Sequence, residues 1–339
     1  MTHQSATVRG YVPGGRLRLA DLARWETLLV VILLLLVGLG NGLSTVFFSA
    51  QNFSNLVVAE MEVAIMALPM TLIIISGEID LSVESTVGLT SAVLGFLWAA
   101  GVPLWIGIPA VLIMGGVGGL LNGVLVTRAG LPSLVVTLGT LALFRGLASV
   151  VLGPRAISNF PADFTTFGFG NVPGTQLPWP LVVFALLALV VGLVLHRTWI
   201  GRQVYAVGKN PSAARYSGVR VARLKTALFV FTGVIAALAG VILTSRLSSA
   251  RADAGQGMTL AVVTAVLLGG VDIFGGSGTL PGVVLAVFTL AILQNGLRLG
   301  DVSTQLQSIA VGLLLIVSVV LPNVGRVFKN LLREGFSRI

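Results

Sequence analysis

The sequence predicts an all-α membrane protein with about ten transmembrane helices, several of them broken or tilted, and with both termini in the cytoplasm. Of the 339 residues, 55% are hydrophobic, only 10% are charged, and the mean hydropathy is +1.00. A soluble domain carries about 25% charged residues, and one helical span needs about 20 apolar residues. This composition excludes a large soluble enzyme, a disordered tail protein and a nucleic-acid-binding protein.

Ten apolar runs define the predicted spans. The first, at 28–48, is too long for the h-region of a signal peptide and is interpreted as an uncleaved span. The other nine are predicted at 56–76, 83–100, 104–126, 131–152, 179–196, 225–245, 259–274, 279–298 and 304–321. Neighbouring helices can satisfy the backbone groups that proline and glycine free in a membrane helix, and such residues occur here at Pro69, Pro109, Gly115, Gly116, Pro132 and Pro281.

The positive charges predict the orientation. With ten spans and the N-terminus inside, 16 of the 21 Lys and Arg residues fall in inner segments when Lys225, at the start of its span, is counted with the inner loop, as the positive-inside rule requires. Nine or eleven spans would place the C-terminal tail on the wrong side. The predicted organisation is a cytoplasmic N-terminal segment at 1–27, a transmembrane domain at 28–321 with an outer loop at 153–178 and an inner loop at 197–224, and a cytoplasmic tail at 322–339.

Residue types that serve catalysis and metal binding are scarce. There is no cysteine, and the only histidines are His3 and His196, so the sequence predicts no catalytic residue and no metal site. A phosphate-binding loop requires G-x-x-x-x-G-K-[ST]. Neither Gly208-Lys209 nor the glycine-rich segment 275–279 satisfies that pattern. The chain is therefore predicted not to be an enzyme and to bind no cofactor.

A short helix is predicted at 212–217 in the inner loop. Asn210 is a preferred N-cap residue, Pro211 suits the first helical position, and Gly218 suits the left-handed residue beyond the end. An Ala-Ala pair in this helix allows another surface to approach closely. One interpretation of the seven cations at 196–225 is an anchor on anionic lipid headgroups. The other, which the caps at both ends favour, is a rigid knob that docks into a partner.

This loop resembles the coupling loop of permease subunits from bacterial ATP-binding-cassette (ABC) importers of the ribose type. The residues that match are Gly201, Arg202, Ala206, Gly208, Asn210, Ala213, Ala214, Ser217 and Gly218. Further matches are GEIDLSV at 77–83, VTLGT at 136–140 and LLGGVDIFGGSGT at 267–279. The chain looks closest to the permeases for rhamnose and for autoinducer-2, and Glu78 and Glu84 stand where ribose-type members often have glycine.

The resemblance implies a permease of the bacterial inner membrane that translocates a sugar or sugar-like solute. The implied partners are a cytoplasmic ATPase subunit that holds ATP and Mg, a second and related permease, and a periplasmic sugar-binding protein. The implied ATPase-coupling residues are Gly201, Arg202, Gly208, Asn210, Pro211, Ala213, Ala214, Ser217 and Gly218. Closure of the ATPases would push the short helix and rock the spans between outward-open and inward-open states.

Polar side chains within or beside the spans each have more than one interpretation. Intramembrane acids are costly and often functional, and amides in a central cavity could hydrogen-bond a sugar. The gate or translocation path is therefore assigned to Glu78, Asp80, Asn122, Asp272, Gln294 and Asn295. The alternatives are helix caps for the aspartates, hydrogen bonds between helices for the amides, and a proton or sodium site. A structural ion pair is favoured for Arg145. At most one of Glu60 and Glu62 is expected to line a path, because they point to different faces of their helix.

An ion-coupled secondary transporter is the alternative function. It predicts an intramembrane acid that is essential for coupling, and transport that continues without ATP. An integral membrane enzyme is a third class. It predicts clusters of acids or histidines on a long polar loop, which this sequence lacks.

Overall fold

The computed structural model describes residues 25–43, 45–318 and 320, and this part of the chain is built from helices. The helices are α1 Trp25–Leu43, α2 Ala50–Ile75, α3 Val83–Ala99, α4 Leu104–Thr127, α5 Ser133–Leu152, α6 Ala162–Phe169, α7 Trp179–Arg197, α8 Trp199–Lys209, α9 Pro211–Tyr216, α10 Val221–Leu247, α11 Met258–Leu268, α12 Leu280–Leu299 and α13 Thr304–Ser318. Isolated β-bridges join Ile157 to Ala250 and Asn171 to Pro178.

Ten of these helices coincide with the ten predicted spans, so the prediction of an all-α polytopic membrane protein is confirmed. Seven are long and apolar enough to cross a membrane, and α3, α11 and α13 are shorter apolar helices. Helix α11 ends at Leu268 rather than at 274, because Gly269 and Gly270 (φ 85°) turn the chain away. Residues 1–24 and 321–339 lie outside the described part, and the cytoplasmic location of the termini stays a prediction.

Three further helices lie outside the spans. Helix α6 lies within the predicted outer loop 153–178, and α8 and α9 form most of the inner loop. Helix α10 begins at Val221, before the predicted start of its span at 225. The helix extends beyond the apolar run because long cationic side chains such as Arg223 and Lys225 can cover its first turn and keep their charges near water.

Helix α2 lies at the centre of the bundle. Nearly every residue from Leu56 to Ile75 is buried, as expected of a helix that is hydrophobic on all sides. Helices α7, α10, α11 and α12 pack around it. Its C-terminal residue Ile75 is therefore held inside the protein, at the place where the candidate site is built.

Helices α4 and α10 approach each other closely through glycines. Gly115, Gly119 and Gly123 recur every four residues on one face of α4. A methyl group at Gly119 would lie 2.8 Å from the Phe229 carbonyl carbon, and Gly115 faces the backbone of Gly233. Small residues at this spacing let two membrane helices pack backbone against backbone.

Ion pairs neutralise charges that lie within or beside the spans. The pairs are Glu60 with Arg298 at 3.1 Å, Glu62 with Arg246 at 2.7 Å, Glu84 with Arg145 at 3.3 Å, and Glu78 with Lys225. Each acid is thereby joined to a residue on a helix elsewhere in the chain, and an unpaired charge inside the membrane would be costly. The ion pair predicted for Arg145 is present. Glu60 and Glu62 do point to different neighbours, and each has an arginine partner.

Candidate coupling and gate region

Helix α9 has the local structure that its sequence predicts. The Asn210 side chain accepts a hydrogen bond from the Ala213 amide at 2.9 Å, Pro211 is the first helical residue, and Gly218 has a φ of 87°. Because the cap oxygen and the left-handed glycine satisfy both ends, so short a helix can hold its shape. The predicted helix is confirmed, one residue earlier in the chain than expected.

Only one of the two alanines expected on the docking surface of α9 is exposed. Ala213 is exposed, but Ala214 is buried against Val207 and Val221. Tyr216 is 94% exposed, and sequence reasoning did not single it out. Exposed aromatic residues on a rigid element are typical anchors of protein interfaces. The only signal available was an aromatic residue in a cationic loop, since six residues are too few for a periodic pattern.

Gly201 and Gly208 contact the interior of the protein. A methyl group at Gly208 would lie 2.5 Å from the Gly276 amide nitrogen and nearer still to the Ile75 carbonyl oxygen. A methyl group at Gly201 would lie 2.5 Å from the Leu195 carbonyl carbon. Backbone atoms cannot move aside as side chains do, so α8 fits here only because these positions have no side chain. The exposed members of the predicted coupling set are Arg202, Asn210, Pro211, Ala213, Ser217 and Gly218.

Two loops that share a short sequence pattern, a glycine followed three residues later by an aspartate, meet beneath α8. They are the loop 76–82, between α2 and α3, and the loop 269–279, between α11 and α12. The Gly276 amide donates to the last carbonyl of α2 at 2.8 Å. Gly275 packs on the backbone of Gly77, and both have a positive φ, 86° and 83°. Movement of α8 must therefore reach both loops.

Side chains from α8 and α1 fasten the loop 269–279. The Tyr205 hydroxyl of α8 donates to the Gly278 carbonyl at 2.7 Å, and burial raises the pKa of Tyr205, so the group stays protonated as a donor. The Trp25 indole donates to the last carbonyl of α11 at 2.6 Å, and Glu26 accepts from Thr279 at 3.0 Å. Both ends of the loop are thus attached to α1, and its C-terminal end is also attached to α8.

The polar residues of the loop 76–82 face two directions. Glu78 pairs with Lys225 at the start of α10. Asp80 is buried and accepts from the Ser82 amide and hydroxyl at 2.9 and 2.6 Å, while Asn122 donates to the same hydroxyl at 2.9 Å. The structure thus joins two residues of the predicted gate, Asp80 and Asn122, through Ser82. Their role in gating stays a prediction.

Asp272 and the two amides of α12 complete the predicted gate set. Asp272 accepts from the Phe274 amide at 3.1 Å and so closes a turn in the loop 269–279. Asn295 exchanges hydrogen bonds of 3.0 and 3.1 Å with Asn52, and Gln294 beside it is half-buried. At a rise of about 1.5 Å per residue, α2 separates Asn52 from the loop 76–82 by about 35 Å. The structure therefore does not bring these amides to Asp80.

The segment 248–257, between α10 and α11, lies alongside α3 and follows it back to Glu84 in its first turn. The Arg251 amide donates to Ser91 at 3.1 Å, and one α3 residue, Glu84, accepts from the Gly257 amide at 3.0 Å and from an amide of the first turn of α11 at 3.1 Å. The two short helices α3 and α11 therefore meet end to end at their N-termini. A carboxylate there offsets the partial positive charge of both helix ends.

A polar cavity of about 620 Å³ opens beside this segment. Arg145 and Ser149 of α5, residues 153–156 of the outer loop, and Arg251 and Asp253 line it. Arg251 donates to both carboxylate oxygens of Asp253 at 2.9 and 2.8 Å, and these hydrogen bonds lower the pKa of that carboxyl. Charged and hydroxyl groups that converge on a cleft of this size can hydrogen-bond a small polar solute.

A bundle of ten apolar helices with a rigid knob on its inner loop and a polar cleft beside two short helices is the architecture of a membrane transport protein. Residues 52–319 match the family described as "Branched-chain amino acid transport system / permease component". The autoinducer 2 import system permease protein LsrD of Yersinia enterocolitica is 41% identical over 309 residues, which are 87% of this chain and 91% of that protein.

The LsrD proteins of Yersinia pseudotuberculosis and Yersinia pestis are 40% identical over 309 residues, 87% of this chain and 90% of theirs. No solved structure matches the chain. The chain belongs to the branched-chain amino acid transport system permease family. It is a membrane-spanning permease subunit of an ABC importer and a protein of the bacterial inner membrane.

Proposed function

We propose that this permease imports autoinducer-2 or a closely related sugar-like solute, and that a separate cytoplasmic subunit hydrolyses the ATP. Relatives that carry the name of autoinducer 2 import permeases are about 40% identical over 87% of the chain. The sequence has no phosphate-binding loop. In this scheme the chain binds no cofactor, and ATP and Mg stay on the ATPase subunit.

The ATPase subunit docks on α9, with Tyr216 and Ala213 in the contact. The observation that carries this proposal is the position of the knob, since α9 is exposed and the adjoining α8 is pressed at Gly208 onto the junction of two loops. The loop 76–82 leads into α3 and the loop 269–279 into α12. Closure of the ATPases therefore moves the inner ends of two spans together.

The solute passes between this chain and a second, related permease. Helix α5 supports this, because one of its faces is exposed along its length and lies beside the polar cavity. A methyl group at Gly139 or at Gly146 would meet nothing within 4 Å, so that face has room for another helix. A periplasmic sugar-binding protein delivers the solute on the outer side, and Asp80 and Asn122 serve the inner gate.

The docking proposal is tested with Tyr216→Asp in the full chain, expressed together with its ATPase subunit, the second permease and the binding protein. Because Tyr216 is 94% exposed, folding should be unaffected. We expect loss of ATPase-subunit co-purification and of solute uptake. Gln176→Asp is the matched control, since it adds the same charge to an exposed residue of the predicted outer loop. Normal co-purification and uptake with Tyr216→Asp would refute the assignment.

The solute is tested by uptake into cells that express the complete importer. We expect autoinducer-2 to be taken up and rhamnose to compete weakly, and uptake to stop when the ATPase subunit is omitted. Equal uptake of both sugars would widen the substrate class. Uptake driven by an ion gradient in vesicles that contain this chain alone would instead identify a secondary transporter.

A further inference from the structure

The face of α10 that follows the inner loop starts with two free cations and continues with apolar residues. Spacings of three and four place on this face Arg220, Arg223, Leu224, Ala227, Leu228 and Phe231. Arg220 and Arg223 are exposed, and neither forms an ion pair with a described residue. Lys225 of the same turn is different, because Glu78 neutralises it.

A groove of about 460 Å³ lies between this face and α8. Arg220 and Arg223 stand on one wall, and Trp199, Ile200 and Gln203 of α8 stand on the other. Trp199 is 60% exposed. A tryptophan beside arginines at the end of a membrane span is typical of the level of the lipid headgroups. The groove therefore opens where phosphate groups of one leaflet are found.

A second, apolar cavity of about 180 Å³ continues from the groove into the bundle. The two cavities are neighbours because Ile200 and Leu228 line both. The apolar cavity lies between α2, α7, α8 and α10, and Leu72, Val191, Val194, Val204 and Phe231 are among the residues that line it. Every residue of its lining is apolar or glycine, so the cavity suits hydrocarbon and not a polar solute.

The distance from the cations to the end of the apolar cavity matches one lipid leaflet. Arg220 and Phe231 are separated by about 16 Å along α10 at a rise of 1.5 Å per residue. Half of a hydrocarbon core of about 30 Å is about 15 Å. A ligand that satisfies both parts needs an anionic head beside the cations and a hydrocarbon chain that reaches the apolar cavity.

We propose that this composite site binds one anionic phospholipid of the inner leaflet. Arg220 and Arg223 hold the phosphate, with help from the partial positive charge at the N-terminus of α10. Ala227 and Leu224 cover the glycerol region, and one acyl chain enters the cavity lined by Leu228. The lipid thereby fills the space between α8 and the spans, directly beside the knob that the ATPase subunit contacts in the proposed function.

The test uses the full-length chain in nanodiscs of phosphatidylglycerol and phosphatidylcholine, and the phosphatidylglycerol retained after mild detergent extraction is measured by mass spectrometry. An arginine near an anionic lipid surface contributes about five-fold to affinity, so R220Q with R223Q should lower retention about thirty-fold. R128Q with R197Q is the control, because it removes two exposed arginines of the same predicted membrane side that do not line the groove. Ala227→Trp, at an exposed residue of the groove, should also lower retention with both arginines intact.

Equal retention of phosphatidylglycerol by the R220Q/R223Q variant and the unaltered chain would overturn the proposal. Loss of ATPase-subunit binding in that variant with lipid retention unchanged would also overturn it, and would assign the arginines to the ATPase interface. An equal fall in the R128Q/R197Q control would reduce the effect to general surface charge. The retention results leave the proposed function standing whichever way they fall, because lipid retention is measured without the ATPase subunit or the solute.

Discussion

The substitution Gly208→Ala should separate two steps of the proposed function: docking of the ATPase subunit on α9, and transmission of its movement through α8 to the two loops. The added methyl group would lie 2.5 Å from the Gly276 amide nitrogen, whereas ordinary van der Waals contact begins at 3.4 Å. Because the Ile75 carbonyl oxygen would be nearer still, helix α8 must shift by more than about 1 Å from the junction of the two loops. Overpacking of this kind costs about 1–3 kcal/mol, which corresponds to about a 5- to 150-fold change in an equilibrium between coupled and uncoupled states.

The assay compares three quantities for Gly208→Ala in the complete importer: co-purification of the ATPase subunit, ATP hydrolysis and solute uptake. The exposed surface of α9 does not change, so we expect normal co-purification and hydrolysis but uptake reduced by about 5- to 150-fold. Gly296→Ala is the matched control, because its methyl group would meet nothing within 4 Å in helix α12. Uptake by Gly208→Ala equal to that of Gly296→Ala would refute the idea that Gly208 transmits movement.

Two predictions concern stability, measured as the free energy of unfolding in detergent. Glu62→Ala should destabilise the protein by about 3–5 kcal/mol, because Arg246 would lose its buried partner. The double variant Glu62→Ala with Arg246→Ala should lose less stability than the sum of the two single losses. Additive losses would contradict the pairing. Gly119→Val should lower the free energy of unfolding by about 1–3 kcal/mol, because the new side chain meets the backbone of α10. Gly139→Ala is the control: its methyl group meets nothing within 4 Å, so it should be neutral or slightly stabilising.

The spans and the caps of α9 could be predicted from sequence because both depend on residues close together in the chain. An apolar run of membrane length forms a helix wherever it lies, since its backbone groups must be satisfied internally. Asn210, Pro211 and Gly218 act on amides and angles within one turn. The resemblance of the segment 201–218 to a coupling loop was also visible in its motif. These features required no knowledge of which helices are neighbours.

The functional meaning of individual polar residues was less predictable. Asp80 and Asn122 were placed in one set from sequence, and the structure connects them through Ser82. Asn295 of the same set is instead hydrogen-bonded to Asn52, and Asn52 lies about 35 Å along α2 from the loop that holds Asp80. An intramembrane amide carries the same sequence signal whether it faces a path or a neighbouring helix. Only the packing of the helices separates these cases.

Hydropathy and capping are local properties, so the helical membrane bundle and the capped helix α9 follow from the sequence alone. The packing of the helices buries Ala214 while it leaves Tyr216 exposed, and it lets Glu84 accept a hydrogen bond from an α11 amide 175 residues further along the chain. It also decided that Gly208 lies against Ile75 and Gly276. Contacts between distant segments arise from helix packing, and packing depends on the shape of every neighbouring helix at once.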